Sequence, residues 1–133
     1  MPTVAENLPP DLPTLLALYL AWMQTKNYSP DTIDNRRRML GYFLTWANER
    51  GITQAGDVTK AVLERYQRYL FHYRKKNGDP LTFRSQHTRL VPLRAWCKWL
   101  AKEGTIPTNP AAELELPKLG QQLPRHVLTA AEA

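Results

Sequence analysis

The stretch Leu81–Gly104, LTFRSQHTRLVPLRAWCKWLAKEG, decides the fold. At about 100° per residue, Leu90, Leu93, Trp96, Cys97, Leu100 and Ala101 collect on one broad face. Arg84, His87, Arg94, Lys98 and Lys102 collect opposite them, and no acid appears before Glu103. Such a helix must bury one side and offer the other to water or to a partner. In a basic chain, a cationic helix face makes a polyanion the first partner to consider. Pro92 lies inside the helix and removes the hydrogen bond to the Thr88 carbonyl. A kink is expected there, or a break that makes Thr82 to Val91 a separate segment. Arg89 falls on the apolar side by rotation, so it is expected to pair with an acid or to mark where a kink turns that face outward. Gly104 ends the helix.

Upstream, the same period recurs three times. Leu15, Leu16, Leu18, Tyr19, Trp22 and Met23 are spaced as a helix over Thr14 to Lys26, with Asp11 as N-cap and Pro13 in the first turn. Ser29-Pro30-Asp31 is a capping hydroxyl, a proline at the first helical position and an acid in the first turn. It opens a second helix to about Arg50, stopped by Gly51 and striped by Ile33, Leu40, Phe43, Leu44 and Ala47. Arg36, Arg37 and Arg38 fall in its first half, where the plain reading is a solvated face with an Asp34–Arg38 pair. Thr59 caps a third helix to about Lys76, with Val62, Leu63, Tyr66, Tyr69, Leu70 and Tyr73 inward and Arg74-Lys75-Lys76 against the negative end of its dipole. Asn77-Gly78-Asp79-Pro80 is a turn into the fourth helix.

Downstream, Pro107, Pro110, Pro117, Gly120 and Pro124 break the pattern. Asn109 to Ala112 reads as one short turn, and the remainder as an extended linker. Thr129 and Glu132 form a capping box, the start of a further helix, so the chain is expected to be the front part of something larger. The divisions that follow are a lead-in over 1–13, a helical domain over 14–106, and a linker with the start of a further domain over 107–133. Period-two alternation and hairpin signals are absent, so the class is all-α.

The 133 residues allow one domain with a real core. Eighteen Lys and Arg face twelve Asp and Glu, for a formal charge of +6. That balance favours nucleic acid or an anionic surface. The single Cys97 excludes an internal disulfide and a cysteine-rich zinc site. No stretch resembles a secretory signal or a membrane span, and a soluble cytoplasmic protein is expected. His72, His87 and His126 have no metal-ligand spacing, and no phosphate loop, nucleophile elbow or HExxH occurs. No catalytic residue, metal or cofactor is therefore expected in this chain.

The basic surface is the functional lead. Thr32, Asn35, Arg36 and Arg37 in one helix, and Thr82, Arg84, Ser85, Gln86, His87, Thr88 and Arg89 in another, mix hydroxyls and amides with cations. Hydroxyls and helix N-termini hold phosphates, while Arg, Asn and Gln read base edges. Arg94, Lys98 and Lys102 are assigned only background charge.

Ser29-Pro30-Asp31-Thr32, Asp57-Val58-Thr59 and the run Arg89-Leu90-(x2)-Leu93-Arg94-(x)-Trp96-(x2)-Trp99-Leu100 stand in a telling order. Asn109-Pro110-Ala111, Leu116-Pro117-Lys118 and Leu123-Pro124 ahead of Leu128-Thr129 and Glu132 complete it. From about Leu15 to Glu132 the chain resembles the N-terminal core-binding, SAM-like domain of phage-integrase and Xer-type tyrosine recombinases. The resemblance implies a four-helix SAM-like bundle with an extended proline-containing linker. It also implies one half of a C-shaped clamp on duplex DNA, whose second and fourth helices approach the major groove. Carried over, the DNA-facing residues are Thr32, Asn35, Arg36 and Arg37, then Thr82 and Arg84 to Arg89, with Lys118 and Arg125 on the linker. Arg36 stands where the family often has Tyr, and Pro92 where a small helical residue is usual. The family's Arg, Lys, His and Tyr catalytic cluster would follow Ala133, so strand cutting through a phosphotyrosine belongs to the parent protein. Other recombinase protomers are the implied further partners of the whole protein, and the isolated domain is expected to be monomeric. The competing reading is a helical protein-interaction module without a DNA role, anchored by Val91 and Trp99 off the main stripe.

Overall fold

A computed structural model describes residues 10–120 of the chain. Four α-helices follow in order: α1 Leu12–Thr25, α2 Pro30–Asn48, α3 Lys60–His72 and α4 Phe83–Lys102, with a single 3-10 turn at Ala55–Asp57. Among the described residues there is no strand, only isolated bridges between Asp11 and Gln54 and between Arg74 and Pro80.

Each helix starts where a side-chain oxygen can take an orphan backbone N–H. Asp11 accepts from Thr14 N at 3.0 Å, and its carboxyl pKa is lowered first by a hydrogen bond from the Thr14 side chain and then by this backbone bond. Ser29 accepts from Thr32 N at 3.1 Å, Thr59 from Val62 N at 3.2 Å and Thr82 from Ser85 N at 3.0 Å. Gly51 and Gly104, at φ 75° and 80°, take the left-handed conformation that ends α2 and α4.

α2 is central, packed against α1 on one flank and α4 on the other, while α3 closes over α4. The apolar face of α4 is the middle of the core: Leu90, Leu93, Trp96, Cys97 and Leu100 are all buried. Around it, Phe43, Trp46 and Tyr66 form an aromatic cluster, with Phe43 edge-on to Tyr66 at 5.0 Å. Burial pushes the Cys97 thiol up to about 12, so it stays a neutral core group with no reactive thiolate.

Four expectations are corrected. α4 runs unbroken through Pro92, which is buried and lines the groove described below, so Thr82 to Val91 is not a separate segment; the neighbouring turns carry the helix across one lost hydrogen bond. α3 ends at His72 rather than near Lys76, because Tyr73 turns extended at ψ 139°. Arg74-Lys75-Lys76 consequently lies in a tight loop and not on a helix end. In that loop Lys75 N donates to Asp79 O at 2.8 Å and Gly78 N to Lys75 O at 2.8 Å, with Gly78 at φ 90°. Tyr69, expected inward, is exposed. Packing also continues past residue 106: Ala111 and Leu114 join Ile106 in the core. Asn109 Oδ1 accepts from Ala111 N at 2.9 Å to form the expected short turn.

Candidate nucleic-acid interface

The N-terminal halves of α2 and α4, which the sequence keeps about fifty residues apart, form the two walls of one groove of about 490 Å³. Asp31, Thr32, Asn35 and Arg36 come from α2; Arg84, His87, Thr88, Val91 and Pro92 come from α4. Leu119 lines it too, so the described end of the chain, the segment around 116–120, reaches this groove. Leu119 and the apolar Val91 and Pro92 are lining residues that charge patterning gives no reason to choose. Val91 alone carries a signal, as the residue off the buried stripe.

Helical rotation explains why these side chains meet. On α4, Arg84, His87, Thr88 and Val91 recur at three- and four-residue spacing and form one ridge. Arg36 is held in place, because its guanidinium donates to Tyr19 Oη at 2.6 Å. Tyr19 is itself buried, and that burial raises its phenol pKa while Arg36 partly offsets the rise. The Thr88 hydroxyl donates to the Arg84 carbonyl at 3.0 Å.

The other proposed positions are not in the groove. Gln86 is buried, 3 % exposed, and donates to the Leu81 carbonyl at 3.2 Å; it is a core residue and leaves the DNA-facing set. Replacing it with Ala should lower stability by about 1–3 kcal/mol, since a buried acceptor loses its partner. Binding per folded molecule should stay unchanged, read by denaturation and by DNA titration of the same sample. Arg89 neither pairs with an acid nor turns outward. Its guanidinium sits 3.9 Å from the centroid of Tyr42 and near Tyr66, whose buried phenol is shifted well upward by desolvation and pulled partly back by Arg89. This cation–π contact holds Arg89 on the α2 side, outside the groove lining. Arg37 faces the groove between α1 and α2 and pairs with Asp34 at 3.2 Å, as Arg38 does. Both pairs are more than half exposed, which makes them worth little. Thr82 and Ser85 are tied to each other as the α4 cap, Oγ to Oγ at 3.1 Å. Lys118 is exposed, one residue before Leu119. Arg125 lies outside the described residues.

Two residues gain a role. Arg94 and Lys98 line a neighbouring groove of about 490 Å³ between α4 and the 109–116 segment. It shares His87 and Val91 with the first, so the cationic side of α4 continues beyond its N-terminal half. Trp99, read as an exposed anchor, instead packs against Tyr19 and Trp22 with ring centroids 5.2 and 6.1 Å away, which leaves Val91 without the partner that the protein-docking reading requires. Among the described residues no group of three or more His, Cys, Asp or Glu could hold a metal ion. None of their helices is long and apolar enough to cross a membrane.

Residues 13–116 match the phage integrase SAM-like domain. The chain belongs to that family. Tyrosine recombinase XerC 2 of Ralstonia nicotianae is 58% identical over 105 residues, covering 79% of this chain and 30% of that protein. Tyrosine recombinase XerC of Xanthomonas campestris pv. campestris is 33% identical over 116 residues, covering 86% of this chain and 34% of that protein. The chain thus spans about a third of the length of these curated relatives. The crystal structure of the N-terminal domain of a phage integrase/site-specific recombinase from Haloarcula marismortui has the same fold. Its TM-score is 0.67 at 24% identity, over 81% of this chain and 99% of that one. The all-α SAM-like bundle expected from the resemblance is therefore the observed architecture of this family member.

Proposed function

We propose that this SAM-like domain is the DNA-binding N-terminal part of a site-specific tyrosine recombinase, laying the α2–α4 groove against duplex DNA. The observation that carries the reading is that groove. One concave strip gathers Thr32, Asn35 and Arg36 with Arg84, His87 and Thr88, in a chain of net charge +6. Cations and hydroxyls of this kind, Arg36, Arg84 and Thr88 among them, hold phosphates and fix register, while the amide of Asn35 can pair with a base edge. Lys118 adds a cation where the chain leaves the bundle. Cutting and rejoining of strands through a phosphotyrosine belongs to the catalytic part of the parent recombinase, which the relatives' greater length accommodates.

The test is fluorescence anisotropy with labelled duplex at low salt. Arg84→Ala should weaken binding about 5- to 30-fold, the effect of losing one charged DNA contact. Arg37→Ala, on the α1–α2 side, should change it by less than about twofold. Equal effects of the two, or an Arg84 variant that binds as the parent does, would overturn the groove as the DNA-contacting surface.

A further inference from the structure

Two phenyl rings stand half in water at the junction of α3 and α4. Phe71, at the end of α3, and Phe83, the first residue of α4, are 51 % and 50 % exposed. They stack on each other with centroids 6.3 Å apart and planes 27° from parallel. The loop that joins their helices is closed by the Arg74–Pro80 bridge, and Arg74 Nη1 donates to the Tyr73 carbonyl at 3.0 Å. The pair is therefore held by structure on both sides. Its surroundings are cationic: from Phe71 to Arg84 the chain carries Arg74, Lys75, Lys76 and Arg84 against Asp79 alone.

We infer that the Phe71–Phe83 pair is an aromatic platform for an unpaired or unstacked nucleobase at the end of the DNA groove. The inference rests on the DNA-binding reading above and adds to it a preference for distorted DNA over perfect duplex. Charge complementarity selects the occupant, because a rim of four cations with one acid fits a phosphate backbone. Position selects the same occupant: Phe83 directly precedes the groove residue Arg84 at the start of α4, so the rings stand at the helix end that carries one wall of the groove. Rings in a basic setting stack on bases of any sequence. A base inside intact duplex has both faces covered, so the platform gains a contact only where a base has left its stack.

The experiment titrates the 133-residue chain with three labelled DNAs of equal length: perfect duplex, the same duplex with a short unpaired bubble, and single strand. The bubble should bind about tenfold tighter than the perfect duplex, the scale of one stacked base. The double variant Phe71→Ala/Phe83→Ala should lose that ratio while perfect-duplex affinity stays within about twofold, and circular dichroism checks that it folds. Phe83→Leu, which keeps apolar bulk without a ring, should restore less than half of the ratio. A 2-aminopurine placed in the bubble should be quenched on binding to the unaltered chain. A ratio near one, an unquenched probe, or full restoration by Leu would each overturn the platform. A lost preference for the bubble with intact duplex binding and an intact Arg84 effect defeats only the platform. An Arg84 variant that binds duplex normally while the bubble preference survives defeats only the groove. Exposed rings that instead self-associate, with the double variant turning an oligomer into a monomer at no cost to the bubble ratio, would assign the pair to protein contact.

Discussion

Trp96→Ala should cost the domain about 3–5 kcal/mol, the range for deleting a fully buried indole. Trp96 is 1 % exposed and lies in the middle of α4, whose Leu90, Leu93, Cys97 and Leu100 share the core with it and which packs against both α2 and α3. A domain of this size has about 5–15 kcal/mol of total stability, so this single change removes a large share of it. The thermal midpoint should fall by about 10–20 °C, followed by far-UV circular dichroism. The void cannot easily collapse, because Trp96 sits in a core whose other large side chains, Phe43, Trp46 and Tyr66 among them, are themselves fully or nearly fully buried. Val91→Ala on the same helix should stay within about 0.5 kcal/mol, since Val91 is exposed and lines the groove. A Trp96 variant as stable as the parent would show that α4 is not the centre of the core.

Affinity for duplex should drop about 40-fold as salt rises from about 50 to about 200 mM. The figure follows from Arg36, Arg84 and Lys118 neutralising three phosphates, at a log–log slope of roughly −0.9 for each. Arg84→Ala should make that slope shallower by about 0.9. A steeper slope, with Arg94→Ala and Lys98→Ala each lowering it further, would extend the footprint into the neighbouring groove that those two residues line. Binding indifferent to salt would remove phosphate contact as its basis, and with it the proposed function.

The two segments proposed to face DNA show where one-dimensional reading stops. Residue type and spacing singled out Thr32, Asn35 and Arg36 and, fifty residues on, Arg84, His87 and Thr88, because hydroxyls, amides and cations at one helical period are visible in the string. The same criterion swept in Gln86, Arg89 and Arg37. Gln86 is excluded by a carbonyl at Leu81 that needs a donor. Arg89 is drawn inward by the face of Tyr42, from a helix whose rotation relative to α4 no periodicity states. Arg37 lies about 100° around α2 from Arg36, enough to place it with α1.

The helix starts at Asp11, Ser29, Thr59 and Thr82, the stop at Gly104 and the buried stripe of α4 were all determined by the sequence alone. They are local: a cap, a left-handed glycine and a 3.6-residue period act over a few residues. What only the tertiary structure decided is non-local. α4 continues through Pro92, a residue that a local rule reads as a helix breaker. The loop after Tyr73 closes on Pro80 at the expense of the last turn of α3. The 109–116 segment packs as part of the bundle because Ala111 and Leu114 find apolar surface there. Above all, the groove exists only because α2 and α4 pack side by side with their N-terminal halves joined. That is a relation between surfaces far apart in the chain, set by which apolar faces fill the core together.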